Sequence, residues 1–180
     1  MKTNTVKADL RKELIAARKA MSADVKAQAD LRIASKLSAW LDANPVTVLG
    51  AYLPMAGEPD LRSLYATLPG RGIRVVMPVV LEKNQALHFV DWQAGDALVR
   101  DASGTLAPAD RTNFARPDAV LAPCVGFNAA HYRLGYGGGY FDRTLAQSPR
   151  PLAVGIAYAL TKTDFPTETY DIPLDVILTD

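Results

Sequence analysis

Cysteine is almost absent, with Cys124 the only one in 180 residues. No intramolecular disulfide can form, which fits a reducing compartment. Histidine is nearly as scarce: His88 and His131 lie far apart, and neither has metal-ligand spacing. Charge of one sign is also lacking. The 20 lysines and arginines are balanced by 19 acidic residues, a net of +1, so there is no global attraction to nucleic acid or to acidic membranes. Aromatic residues make up 8% of the chain and are scattered, which argues against a base-stacking surface. No stretch approaches the roughly 18 apolar residues of a membrane span, and the charged amino-terminal segment has no apolar signal core. A cytoplasmic location is expected, with neither nucleic acid nor membrane as partner.

The chain does have an ordinary globular balance, 49% hydrophobic and 22% charged, at a length that suits one domain over residues 1–180. A monomer is expected. Residues 7–21 read as a helix with Leu10, Leu14 and Ala17 on one face and Lys7, Arg11 and Arg18 together elsewhere. The ordinary reading of its basic residues is a solvated face. Ser22 can cap a second helix over 23–43, with Ala29, Ile33, Leu37, Trp40 and Leu41 on its apolar side. Asn44-Pro45 ends it, because a residue before proline avoids the helical region.

Val46–Tyr52 is short, apolar and β-branched, the pattern of a buried strand. Asp60 can cap a helix carrying Leu61, Leu64, Tyr65 and Leu68. Further strands are expected at Ile73–Met77, Leu87–Trp92, Ala119–Ala122, Leu152–Tyr158 and Val176–Leu178, with a helix from Gly139 to Gln147. Segment 94–117 reads mostly as loop. Apolar strands alternating with amphipathic helices predict an α/β domain of three layers, a mostly parallel sheet flanked by helices. Ligands then bind past the carboxyl ends of strands, which selects the loops after Tyr52 and after Ala122.

The second of these loops leads into Arg133-Leu134-Gly135-Tyr136-Gly137-Gly138-Gly139-Tyr140-Phe141-Asp142-Arg143, where four of five consecutive residues are glycine. Glycines between a strand and a helix let successive N–H groups face one concavity, which suits a phosphate. Arg133 and Arg143 can add cationic forks. A flexible surface loop is the competing reading. The pattern is neither a P-loop, which needs a lysine followed by serine or threonine, nor the dinucleotide fingerprint, because Tyr140 stands where its third glycine belongs. Asp142 suits magnesium, an ion held by one or two carboxylates with phosphate oxygens and water. It equally suits a first-turn aspartate that complements the helix dipole. His88 reads as structural, His131 as an occasional auxiliary contact and Cys124 as packing.

The run Arg133–Arg143 resembles the glycine motif of 5-formyltetrahydrofolate cyclo-ligases. Lys7-Ala8-Asp9-Leu10-Arg11, Glu58, Pro123, Gly126-Phe127-Asn128 and Asp171 in Tyr170–Asp175 resemble other family motifs in order and spacing. The resemblance implies a NagB/RpiA-like architecture and an ATP- and magnesium-dependent conversion of 5-formyltetrahydrofolate to 5,10-methenyltetrahydrofolate. It implies ATP contacts at Lys7, Ala8, Asp9, Leu10 and Arg11 and at Arg133, Leu134, Gly135, Tyr136, Gly137, Gly138, Gly139, Tyr140 and Phe141. It implies reduced-folate contacts at Leu53, Glu58 and Tyr136–Tyr140, magnesium at Asp142 and Asp171, and charge stabilisation by Lys7, Arg133 and Arg143. Two residues depart from some members, Gly138 replacing lysine and Phe141 replacing tyrosine. The middle loop Ser103–Pro108 lacks an acid many members carry. A folate-binding protein with poor turnover and a sugar-phosphate isomerase of similar architecture are the alternatives. The isomerase would not need the Lys7–Arg11 motif.

Overall fold

The structure is a computed structural model that describes residues 2–180, with side chains from residue 5 onward. Helix α1 spans Lys2–Lys19 and α2 spans Ala23–Ala43. The first helix therefore begins earlier and stops sooner than 7–21. Ser22 ends the break between the two, its hydroxyl accepting from the Val25 N–H at 3.3 Å as the α2 cap. At the other end of α2, Asn44 is extended before Pro45, as the steric rule requires.

Six strands form the main sheet: β1 (Val48–Gly50), β2 (Arg74–Val79), β3 (His88–Asp91), β6 (Ala119–Pro123), β9 (Leu152–Ile156) and β10 (Val176–Leu178). Their order is β10-β9-β6-β1-β2-β3, parallel throughout except for β3, which runs antiparallel to β2. Side chains alternate across the sheet with the period of two that extended backbone imposes. Val75, Met77, Ala119, Leu121, Val154 and Ile156 face α2, meeting Ala29, Ile33, Leu37 and Leu41. Val76, Val120, Ala122 and Ala153 face the other way. There α4 (Tyr140–Leu145) supplies Phe141 and Leu145. The helical layers are unequal: α2 has 21 residues and α4 has six.

Three elements differ from expectation. The helix after Asp60 shrinks to α3 (Arg62–Tyr65), followed by a 3-10 turn over Leu68–Arg71, because Pro69 cannot continue an α-helical ladder. Segment 94–117 is not mostly loop. It contains an antiparallel hairpin of β4 (Leu98–Arg100) and β5 (Leu106–Pro108), whose first strand is exposed at every residue and so shows no alternation. A second small hairpin, β7 (Gly126–Phe127) with β8 (Arg133–Leu134), carries the chain into the glycine segment.

Candidate active site

A cleft of about 1300 Å³ opens past the carboxyl ends of β1 and β6. Its floor holds Tyr52, Leu53, Glu58 and Pro123. The cleft is also lined by the segment Arg133–Arg143, by Lys83 and the β4–β5 tip (Asp101, Ala102, Ser103, Thr105 and Leu106), and by Glu168–Ile172. From α1, Lys7 and Arg11 reach the cleft. Their i and i+4 spacing puts them on one helix face, while Asp9 is exposed, 3.9 Å from the Lys12 ammonium. Ala8 and Leu10 also lie outside the lining. Leu10 packs beside Leu14, Val125, Leu134 and Phe165.

The glycine wall is built from β8 through five loop residues into α4. Gly137 and Gly139 adopt φ of 95° and 64°, a region closed to most side chains. At Gly138 a Cβ would lie 2.8 Å from ring carbons of Tyr140, so that ring occupies the space a side chain would take. Arg11 Nε donates to the Gly135 carbonyl at 2.6 Å, tying α1 to the loop.

Cations and carboxylates meet in pairs. Arg133, with its side chain 5% exposed, binds Asp142 Oδ2 through Nη2 at 2.9 Å and lies over the Phe141 ring. Its Nη1 is buried without a partner. Lys7, equally buried, reaches Asp171 at 3.1 Å and Glu168 at 3.6 Å. Arg143 folds back over Tyr140, donating to the carbonyls of Gly138 and Gln85.

Beneath the cleft, Glu58 is almost fully buried. Burial pushes its carboxyl above the ordinary value of 4.5, against the Tyr136 hydroxyl, the Met55 N–H and the Arg18 charge. The Tyr136 hydroxyl donates to Glu58 at 2.7 Å. Its own pKa is raised, first by burial and then by the Glu58 charge. Tyr136 is thus held by its hydroxyl while its ring is open to the cleft.

The family model for the 5-formyltetrahydrofolate cyclo-ligase family matches residues 3–180. The chain belongs to this family. It is an enzyme, a ligase. Among its relatives, the 5-formyltetrahydrofolate cyclo-ligase of Mycoplasma pneumoniae is 33% identical over 177 residues, covering 95% of this chain and 96% of that protein. The Escherichia coli K12 enzyme of the same name is 27% identical, covering 90% and 93%. The solved structure of a 5,10-methenyltetrahydrofolate synthetase from Mycoplasma pneumoniae superposes with a TM-score of 0.80 at 31% identity, covering 97% of this chain and 98% of that one. The synthetase from Aquifex aeolicus gives 0.79 at 27% identity, covering 96% and 89%. The cyclo-ligase sheet, mostly parallel and flanked by helices, is the one described above.

Among the described residues no group of three or more histidine, cysteine, aspartate or glutamate side chains could hold a metal ion. Asp142 and Asp171 are nevertheless neighbours, since Asp142 Oδ1 accepts from the N–H of Ile172 at 3.3 Å. Each carboxylate spends one oxygen on a cation and keeps unused lone pairs. The pair fits a magnesium ion that completes its shell with phosphate oxygens and water, and does not fit one held by protein alone.

The histidines and the cysteine stand apart from this chemistry. His131 has φ of 63° in an exposed turn and is not part of the cleft. His88 is exposed on β3, edge-on to Phe114. Cys124 is buried and its thiol is pushed up to about 12 by that burial. Sequence reasoning missed Arg18, Lys83 and the β4–β5 tip. Lys7, Leu14 and Arg18 are all buried and Ala17 is exposed, so α1 does not have the separate solvated basic face that was expected. The signal for Arg18 was its spacing, four residues beyond Leu14 and eleven beyond Lys7.

Proposed function

We propose that this enzyme converts 5-formyltetrahydrofolate and ATP into 5,10-methenyltetrahydrofolate, ADP and phosphate, with magnesium bound beside the nucleotide. The observation that carries the ATP reading is Arg133, a cation lining the glycine-rich cleft whose Nη1 is buried with no hydrogen-bond partner. An unpaired buried guanidinium N–H is costly, and a phosphate oxygen would satisfy it.

An N-formyl group is an amide, and its oxygen is a poor leaving group. Transfer of the γ-phosphoryl to that oxygen makes it a good one. Substrate N10 then attacks the formyl carbon, the C–O bond breaks, phosphate leaves and the N10 proton passes to solvent. Both nucleophiles belong to the substrate, so the protein's share is positioning and charge stabilisation. Lys7, Arg11, Arg133 and Arg143 are the cations available to the phosphates, with the N–H groups of Gly135–Phe141 beside them. Asp142 and Asp171 would hold magnesium, which neutralises charge on the transferring group. Leu53, Glu58 and Tyr136–Tyr140 would receive the folate. Glu58 can accept from pterin N–H groups, and the rings of Tyr136 and Tyr140 can pack on it.

The test is to mix protein, 5-formyltetrahydrofolate, ATP and magnesium and follow the near-ultraviolet absorbance of the methenyl product. ATP-dependent growth is expected. Tight folate binding with no growth would replace this reading with a folate-binding protein.

A further inference from the structure

We infer that Arg18 is the positioning residue of the folate side of the cleft, orienting Tyr136 and Glu58 from beneath without touching substrate. The inference rests on the folate reading of the site. Arg18 is 1% exposed and is among the largest fully buried side chains. It does not line the cleft, while Tyr136 and Glu58 do.

Its guanidinium joins three separate pieces of the site. Nε donates to the Ala56 carbonyl at 2.8 Å, in the loop after β1. Nη1 donates to the Cys124 carbonyl at 3.4 Å, just past β6. Nη2 donates to the Tyr136 hydroxyl in the glycine segment and lies 3.9 Å from Glu58 Oε1. The same hydroxyl passes its proton toward Glu58, and the guanidinium carbon sits 5.8 Å from the Tyr136 ring centre. The loop turns to meet it: Ala56 and Gly57 take φ of 49° and 80°, and a Cβ on Gly57 would lie 3.5 Å from Arg18 Cγ.

Burying a charge is expensive unless it is paired and hydrogen-bonded. At a helix position facing a core, leucine or methionine would cost nothing of the kind. Three acceptors in three directions match the planar fork of arginine, and a lysine ammonium could not reach all of them. What the charge secures is one orientation of the Tyr136 hydroxyl and one rotamer of Glu58, the two groups that present a ring and an acceptor to the pterin.

Initial rates in Arg18→Lys, Tyr136→Phe and the double variant test this. Each single change is expected to raise the folate KM roughly tenfold and to move the ATP KM less than about twofold. Combined, they should raise the folate KM little more than one alone, because coupled residues are non-additive. Full additivity, or an equal rise in the ATP KM, would overturn the inference while leaving the folate reading intact. If Arg18→Lys does not fold, Arg18→Met takes its place in the same cycle with Tyr136→Phe, and an unchanged folate KM in a folded Arg18 variant would overturn the inference. A wild-type protein that neither binds nor turns over the folate would sink both.

Discussion

Arg133 and Asp142 are paired at 2.9 Å across the mouth of the glycine segment, and the other Arg133 terminal nitrogen is left buried with no partner. One residue was expected to meet phosphate and the other magnesium. Their pairing fixes the guanidinium, with one arm committed to Asp142 and the other left without a hydrogen-bond partner in the protein. Phe141 under the guanidinium plane completes that fixation.

Arg133→Gln should therefore lower turnover by about 10²–10³-fold, the usual effect of removing one preorganised donor aimed at transition-state charge. Arg133→Lys should recover only part, since a point charge cannot hold Asp142 and a phosphate oxygen in two fixed directions. Turnover numbers at saturating ATP, with circular dichroism to show the fold intact, check this.

Lys7 anchors Glu168 and Asp171 while facing the cleft. In Lys7→Met the ATP KM is expected to rise by roughly tenfold, the cost of about one charge-assisted contact. Amide exchange over residues 168–172 should accelerate as well, because Glu168 and Asp171 lose their ion pairs to α1 while Phe165 keeps its packing on that helix. Asp9→Ala, on the solvent side, should change neither. Initial rates and hydrogen-exchange mass spectrometry check both parts.

Gly126 tests how α1 is held. A Cβ there would lie 2.6 Å from Leu14 Cδ1 and 3.2 Å from the Thr161 carbonyl oxygen. Leucine can shift, but the backbone oxygen cannot. Gly126→Ala is expected to destabilise by about 1–3 kcal/mol, a fall in melting temperature of several degrees. It should also raise the ATP KM, because Lys7 and Arg11 ride on the displaced helix.

What the chain's own pattern disclosed follows the same physics. The Ser22 cap, Asn44-Pro45, the apolar runs of β1 and β6 and the glycine segment are local signals, and each falls in or beside the element it announced. β4 carried no such signal, since Leu98, Val99 and Arg100 are all exposed. Arg18 was illegible for another reason. Its partners lie 38, 106 and 118 residues away, and a buried cation on a helix looks the same in sequence as a solvated one.

Glu58 sets a pH dependence. Its folded pKa lies above 4.5 because burial outweighs its hydrogen bonds and the Arg18 charge. The Glu58 carboxylate, proposed to accept from the folate, should be lost as pH falls through that raised value, so the folate KM should climb at a higher pH than an ordinary glutamate would cause. The stability sign is the opposite. A raised folded pKa gives a contribution present below 4.5 and lost as pH rises through the folded value. Glu58→Gln should flatten the acid limb of the folate KM, and an unaltered limb in that variant would assign it to another group.

The most direct test of the proposed reaction uses 5-formyltetrahydrofolate labelled with ¹⁸O in the formyl group, turned over with ATP and magnesium, with the released phosphate examined by mass spectrometry. The expected result is one ¹⁸O atom in phosphate for each methenyl product formed, and no product without ATP. Product formed with unlabelled phosphate, or formed without ATP, would contradict phosphorylation of the formyl oxygen in this cleft.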